Sequence, residues 1–275
     1  MATIVGALGI PHNPFTALAI HRGDASGDDS KRLYAELAQQ LEAMRADTIV
    51  VFTTDHYNLF FELCVPIFCV GVAESTAGPS DYPMLPRLEA TVDGELAAAI
   101  QESLVAEDFD VARSQEFEVD HTILAPLGVI DPQMEHAIVP FWLSTSMRPL
   151  PSARRCHALG NALRRAIEAS PLERRVVVAA SGAFSFEVGG PRMSEESHVG
   201  VPAPDWGIRV TELLAAGDMA ALVAETTGDQ LAAAGNASGE VLNWIAMLGA
   251  FDPAPATFIE AQRAEGHAYA AWQLQ

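Results

Sequence analysis

Apolar and polar positions along the chain switch between two periods. Thr3 to Ile10 and Thr48 to Phe52 are short apolar runs rich in β-branched residues, the pattern of strands covered on both faces. Between them Leu33, Leu37, Leu41 and Met44 recur at helical spacing and form one apolar stripe. Asp29 or Ser30, at the end of the polar loop Asp24 to Ser30, is placed to cap that helix, and Ala46-Asp47 ends it. Strand, helix and strand make a β-α-β unit, whose crossover is expected to be parallel and right-handed. The ends of its two strands therefore share one sheet edge, and the strands are expected to be neighbours.

The alternation continues. Leu59 to Val72 predicts one or two strands at or near an edge, because Pro66 interrupts it. Gly78 to Pro86 reads as a loop, Val92 to Val105 as a helix and Val111 to Ser114 as a short strand. Pro126 to Pro132 reads as a turn region, His136 to Leu143 as a strand, Arg154 to Ala169 as a helix and Arg175 to Ala180 as a buried strand. Gly189 to Pro204, rich in Gly and Pro, has the look of a long functional loop. Asp205 is expected to cap a helix through Leu214, and Asp218 to Ala224 forms another. Leu231 to Ala237 reads as a small-residue loop, and Gly239 to Ala250 as a helix with Trp244, Ile245 and Leu248 at packing spacing. The tail, Phe251 to Gln275, reads as mixed and partly helical. The sum is one α/β domain over residues 1–275, in three layers, α/β/α, around a largely parallel or mixed sheet.

Composition narrows the function classes. Apolar residues make up 49% of the 275, enough for a large core, and the net charge of −20 leaves no basic footprint for nucleic acid. The same charge disfavours anionic membranes, and no apolar run reaches the ~18 residues of a membrane-spanning helix. The N-terminus lacks a basic segment followed by an apolar stretch, and Cys64, Cys69 and Cys156 are too few for a disulfide framework. Cys64 and Cys69, inside an apolar run, are expected to be buried thiols. A cytoplasmic location is the corresponding expectation.

Chemistry gathers where strands run out. Pro11-His12-Asn13-Pro14 follows the first strand, with the prolines keeping His12 out of a helix, and Asp55-His56-Tyr57-Asn58 follows the second. Ligands of open α/β sheets bind outside the carboxyl ends of strands. Two imidazoles and one carboxylate on one face of a metal make the non-haem iron(II) site, and Glu240, opening an apolar helix, is a candidate third donor. Each residue also has a plain structural reading: His12 as a loop residue, His56 as a core histidine satisfied by Asp55, and Glu240 as a first-turn carboxylate favoured by the helix dipole. His21, His157 and His267 read as surface residues, and His136 carries no role.

Pro11-His12-Asn13-Pro14, Asp55-His56-Tyr57-Asn58 with Phe60-Phe61, Val119-Asp120-His121 and Gly239-Glu240-Val241-Leu242-Asn243-Trp244 together resemble the class III extradiol ring-cleavage dioxygenases. This is the family of protocatechuate 4,5-dioxygenase β subunits and 2,3-dihydroxyphenylpropionate dioxygenases, and the likeness runs from about residue 3 to about residue 250. The resemblance implies that His12, His56 and Glu240 hold Fe(2+), and that a catechol-type substrate is opened with O2 beside its two hydroxyls. It also implies homo-oligomers, in some relatives with a small partner subunit. His121 matches a histidine that the family uses to move protons; a strand-end structural histidine held by Asp120 is the other reading.

One block departs from the pattern. The family carries Gly-Gly-x-Ser-His after the strand at Arg175 to Ala180, whereas this chain reads Gly182-Ala183-Phe184-Ser185-Phe186. Phenylalanine transfers no proton. His121 alone, or His198 in the loop Glu195-Glu196-Ser197-His198, could do that work, or turnover could be altered or lost. Phe186 could stack on an aromatic ring. Tyr57 and Asn58 could hydrogen-bond a substrate, with packing the alternative. Arg192 could clamp a substrate carboxylate or sit in a structural ion pair. A metal-binding paralogue or accessory subunit without catalysis, and a zinc-dependent hydrolase on the same ligands, are the rival readings.

Overall fold

The structure, a computed structural model, describes residues 1–60, 63–190, 192–193 and 198–274. Its strands are β1 (Thr3–Ile10), β2 (Thr48–Thr53), β3 (Phe68–Gly71), β4 (Ser75–Gly78), β5 (Leu88–Thr91), β6 (Val111–Ser114), β7 (Ala137–Leu143), β8 (Arg175–Ser181), β9 (Glu187–Val188), β10 (Val199–Gly200), β11 (Phe258–Gln262) and β12 (His267–Gln273). Eight of them form one mixed sheet in the order β11-β12-β1-β8-β2-β7-β3-β6. The central four, β1, β8, β2 and β7, run parallel. On one side β12 is antiparallel to β1 and to β11; on the other, β3 is antiparallel to β7 and parallel to β6.

Strand alternation sends side chains to two helical layers. Val176, Val178 and Ala180 of β8 join the cluster under helices Gly94–Ala106, Ala153–Ala169, Pro204–Ala216 and Val241–Gly249. Val177 and Ala179 join the opposite cluster, under helices Asp28–Met44 and His121–Ile130. The expected stripe Leu33, Leu37, Leu41 and Met44 is buried in that second layer. The three-layer α/β/α fold follows from the sequence pattern.

Several details differ from the sequence reading. β1 and β2 share an edge but are not neighbours, because β8 lies between them; local alternation does not encode strand order. Among the described residues of Leu59 to Val72 there is one strand, Phe68–Gly71, one position in from the edge. Cys64 lies before it and is exposed rather than buried. A helix, Pro14–Arg22, follows His12 at once, with Pro14 at its first turn and the Asn13 side chain accepting from the N–H groups of Phe15 and Thr16. Helix Asp28–Met44 starts ahead of both candidate caps, and helix Pro204–Ala216 starts ahead of Asp205. The long loop carries a small hairpin, β9 with β10, and part of the expected Leu231 to Ala237 loop belongs to helix Gly228–Ala234.

Two corrections bear on the site. The expected turn at Pro126 is the interior of helix His121–Ile130, started by Asp120, whose side chain accepts from Thr122 N. The tail is not helical but an antiparallel pair, β11 and β12. Ala271, Ala270 and Ala268 in β12 hid its strand character, because alanine carries helix propensity and the sheet buries the segment on both faces.

Candidate metal centre and active site

The carboxyl ends of β1, β8 and β2 present the site, with the antiparallel β12 adding its first residue at the same edge. His12 leaves β1 and is 7% exposed. His56 follows β2 through Thr54 and Asp55. The Asp55 carboxylate accepts the N–H groups of Asn58, Leu59 and Phe60, and Tyr57 takes a left-handed φ of 62°. This side-chain-held turn points His56 back over the sheet edge and explains why aspartate precedes it.

Glu240 ends a short 3₁₀ turn, Ser238–Glu240, ahead of helix Val241–Gly249, and is 2% exposed. Its carboxylate does not cap that helix. Instead Oε1 lies 3.0 Å from His56 Nε2 and 3.3 Å from His12 Nε2, while Oε2 accepts the Ala183 N–H at 2.7 Å. The rest of the Glu240-Val241-Leu242-Asn243-Trp244 block stitches strand ends together. Asn243 donates to Thr54 Oγ1 and to the Ser181 carbonyl, and Trp244 Nε1 donates to the Gly182 carbonyl. Gly182 has φ 143°, and a Cβ there would come within 2.9 Å of Glu240 Oε2.

The tautomer of His12 is fixed from behind. Ser181 Oγ donates its one hydrogen to the Thr122 carbonyl at 2.6 Å and lies 2.7 Å from His12 Nδ1. A hydroxyl that has given its proton to a carbonyl can only accept a second one. His12 is therefore protonated on Nδ1, and Nε2 faces the site with a bare lone pair. Thr122 offers its carbonyl because the residue four further on is Pro126, which has no N–H to take it.

His121 reaches the same place from the helix that Asp120 starts. Its backbone N–H donates to Asp81 Oδ1 at 2.9 Å, and its Nδ1–H donates to Asp81 Oδ2. Nε2 is thereby left for the site. A nitrogen from each of His12, His56 and His121 lies within 4.8 Å of the others. Burial opposes ionisation of Asp81, but the hydrogen bonds and charge of His121 outweigh it and keep the carboxyl below its ordinary range.

Burial likewise works against charge on His12, and it wins there: the imidazole titrates below its ordinary range despite Glu240. At His56 burial is outweighed by the hydrogen bond and charge of Glu240, with Asp120 and Asp81 adding to it, and the value rises to about 9. Burial would raise Glu240, but His12 and His56 hold it well below the carboxylate range. In the absence of metal the cluster thus keeps Glu240 ionised and a proton on His56. Two imidazole nitrogens and a carboxylate oxygen that converge, two of them anchored from behind by Ser181 and Ala183, fit a divalent transition metal.

The site opens into a cavity of about 480 Å³, within the range of small-molecule sites. Tyr57, 40% exposed, and Phe186 line it beside His12, His56, His121 and Glu240. Asn58 does not; it donates to Asp81 and Asp120 and so ties the His56 turn to the His121 loop. Arg192 is taken up by the buried Glu187 and by the carbonyls of Ala233 and Ala232. His198 is exposed, and its carbonyl accepts the Gly189 N–H. Glu195 to Ser197, beside it, and Phe61 lie outside the described residues.

One lining residue escaped the sequence reading. His267, taken there for a surface residue, is 5% exposed and faces the cavity. The β1–β12 register pairs Gly9 with Ala270, and three residues further on it brings His12 level with His267. Burial, with the charge of His12, lowers it to about 3, and Nε2–H donates to Gln262 Oε1 at 2.9 Å, so it is a neutral imidazole with Nδ1 as acceptor. An alternating His267-Ala268-Tyr269-Ala270 pattern was the available signal.

Residues 6–271 match the family described as the catalytic LigB subunit of aromatic ring-opening dioxygenase, and the chain belongs to that family. It is a ring-cleavage dioxygenase by membership. Among curated relatives, a 2,3-dihydroxyphenylpropionate/2,3-dihydroxicinnamic acid 1,2-dioxygenase of Cupriavidus necator is 27% identical over 257 residues, 80% of each chain. A gallate dioxygenase of Pseudomonas putida is 32% identical over 65% of this chain and 50% of its own. The crystal structure of an uncharacterized protein from Escherichia coli K12 superposes with a TM-score of 0.61 at 16% identity, covering 98% of this chain and 100% of that one, a likeness of fold. Among the described residues no helix is long and apolar enough to cross a membrane.

Proposed function

We propose that this protein is a non-haem Fe(II)-dependent extradiol dioxygenase that opens a catechol-type ring with O2. The observation that carries the proposal is the convergence of His12 Nε2 and His56 Nε2 on one oxygen of Glu240. These three residues would hold the metal. When bound, Fe(II) brings the substrate hydroxyls and O2 to one centre and passes electrons between them.

The protein's own part is orientation and proton movement. The hydrogen bond of Nδ1 to Asp81 orients His121 and stabilises it when protonated, so Nε2 can take a substrate hydroxyl proton and return it during ring opening. Phe186, where relatives carry a histidine, offers a ring face to an aromatic substrate and no proton. His121 is therefore the proton carrier of the site. His267 stays neutral and accepts a hydrogen bond through Nδ1.

Protein reconstituted with Fe(II) under anaerobic conditions and then mixed with oxygenated catechols tests this reading. Oxygen uptake matched by a yellow ring-opened product is expected. No turnover across a catechol panel, with iron shown to be bound, overturns it, and metal analysis of anaerobically isolated protein separates iron from zinc.

A further inference from the structure

We infer that the site selects a dihydroxy-aromatic whose ring substituent is apolar and uncharged, and rejects one bearing a carboxylate. This rests on the proposed ring-cleavage reading and adds its substrate class.

No lysine or arginine lines the cavity among the described residues, and none of the residues outside them is basic. Beyond the histidines and Glu240, much of the wall is apolar or aromatic: Phe15, Tyr57, Tyr82, Phe186, Val188 and Val199. Apart from Glu240, its one carboxylate among the described residues is Glu265, which is exposed. Arg192, four residues from Val188 of the wall, already answers the buried Glu187 and two backbone carbonyls, and Arg263, two residues from Glu265, pairs with Asp205. Releasing Arg192 for a ligand would leave the Glu187 carboxylate buried without its partner, a costly exchange. Arg148, two residues from Ser146 of the wall, is exposed and does not line the cavity.

A carboxylate on the ring substituent leaves water, finds no lysine or arginine on the wall among the described residues and approaches a chain of net charge −20. An alkyl or aryl substituent of the same size meets aromatic and branched side chains and gains by leaving water. The two relatives named above are described by substrates that carry carboxylates, so the inference separates this chain from them.

Calorimetric titration of the metal-loaded protein under anaerobic conditions tests it with a matched pair, 3-propylcatechol and 3-(2,3-dihydroxyphenyl)propionate. Binding of the propyl compound at least tenfold tighter is expected. Equal binding, or tighter binding of the carboxylate, overturns the inference. A second variant probes the cause: Val188→Arg, at an exposed wall position, is expected to narrow the ratio by tenfold or more, and an unchanged ratio rejects the wall's lack of cations as the reason for selectivity. If both compounds bind in the expected ratio but neither ring opens, the catalytic reading fails while this one holds. If neither binds, both fail.

Discussion

Ser181 Oγ lies 2.7 Å from His12 Nδ1 with its own hydrogen already given to the Thr122 carbonyl. That pair decides which nitrogen of His12 faces the site and would meet the proposed metal. Ser181→Ala is expected to weaken metal binding by about 10–100-fold, the usual cost of losing a partner behind a ligand. The fold is expected to remain, since only a hydroxyl is lost. Pro126→Ala supplies a new N–H that competes for Thr122, and a smaller loss in the same direction follows. Chelator competition measures both; unchanged affinity in Ser181→Ala refutes the tautomer argument.

Metal affinity is expected to rise with pH. His56 holds its proton up to about 9 in the metal-free protein, and a metal ligand must be the neutral imidazole. Binding therefore expels one proton below that pH, and affinity gains about tenfold per pH unit between pH 6.5 and 8.5. Titrations in buffers of different ionisation heat count the protons released; a release near zero at pH 7 contradicts the assignment.

His121→Asn removes the proposed proton carrier without touching the ligand set. Turnover is expected to drop by about 10²–10⁴-fold, the range for a lost general acid–base group, with iron content unchanged. Phe186→His adds a second carrier to the cavity and is expected to raise kcat and to rescue part of the His121→Asn loss. Loss of kcat with no change in its pH profile would make His121 a structural residue.

Gly182→Ala places a methyl group against Glu240 at a φ that disfavours side chains. Strain of about 1–3 kcal/mol is expected, together with loss of metal. Gly189, with φ 60° and no atom within 4 Å of the added methyl, gives the comparison: Gly189→Ala suffers strain alone and keeps its metal. Thermal unfolding with and without metal distinguishes the two.

The layers of the fold were readable because β1, β2 and β8 are covered on both faces and Leu33 to Met44 keep a helical stripe. The order β1-β8-β2 was not, since strand adjacency is set by crossovers that leave no local periodicity. His12, His56 and His121 stood out because each follows a strand or a cap in a compact polar block. Glu240 was ambiguous in sequence, because a capping carboxylate and a ligand look alike until the chain brings residue 240 to residues 12 and 56. His267 was hidden by alanines that read as helix, and Arg192 stayed open between a substrate clamp and a structural ion pair, because only the fold brings it to Glu187 and the Ala232 and Ala233 carbonyls. Asn58 belongs to a polar block whose purpose, holding Asp81 and Asp120 together, emerges only in three dimensions.

β1 takes its partners from far along the chain, β8 on one side and β12 on the other. Until residues 175–181 and 240 have been synthesised His12 has neither Ser181 nor Glu240 to face, and the second edge of β1 stays open until residues 267–273 follow. The proposed ligand set is thereby spread along the chain: a nascent chain carrying His12 and His56 alone lacks the carboxylate, which arrives with residue 240. A metal held by that set would report a chain made at least through Glu240 and folded around it.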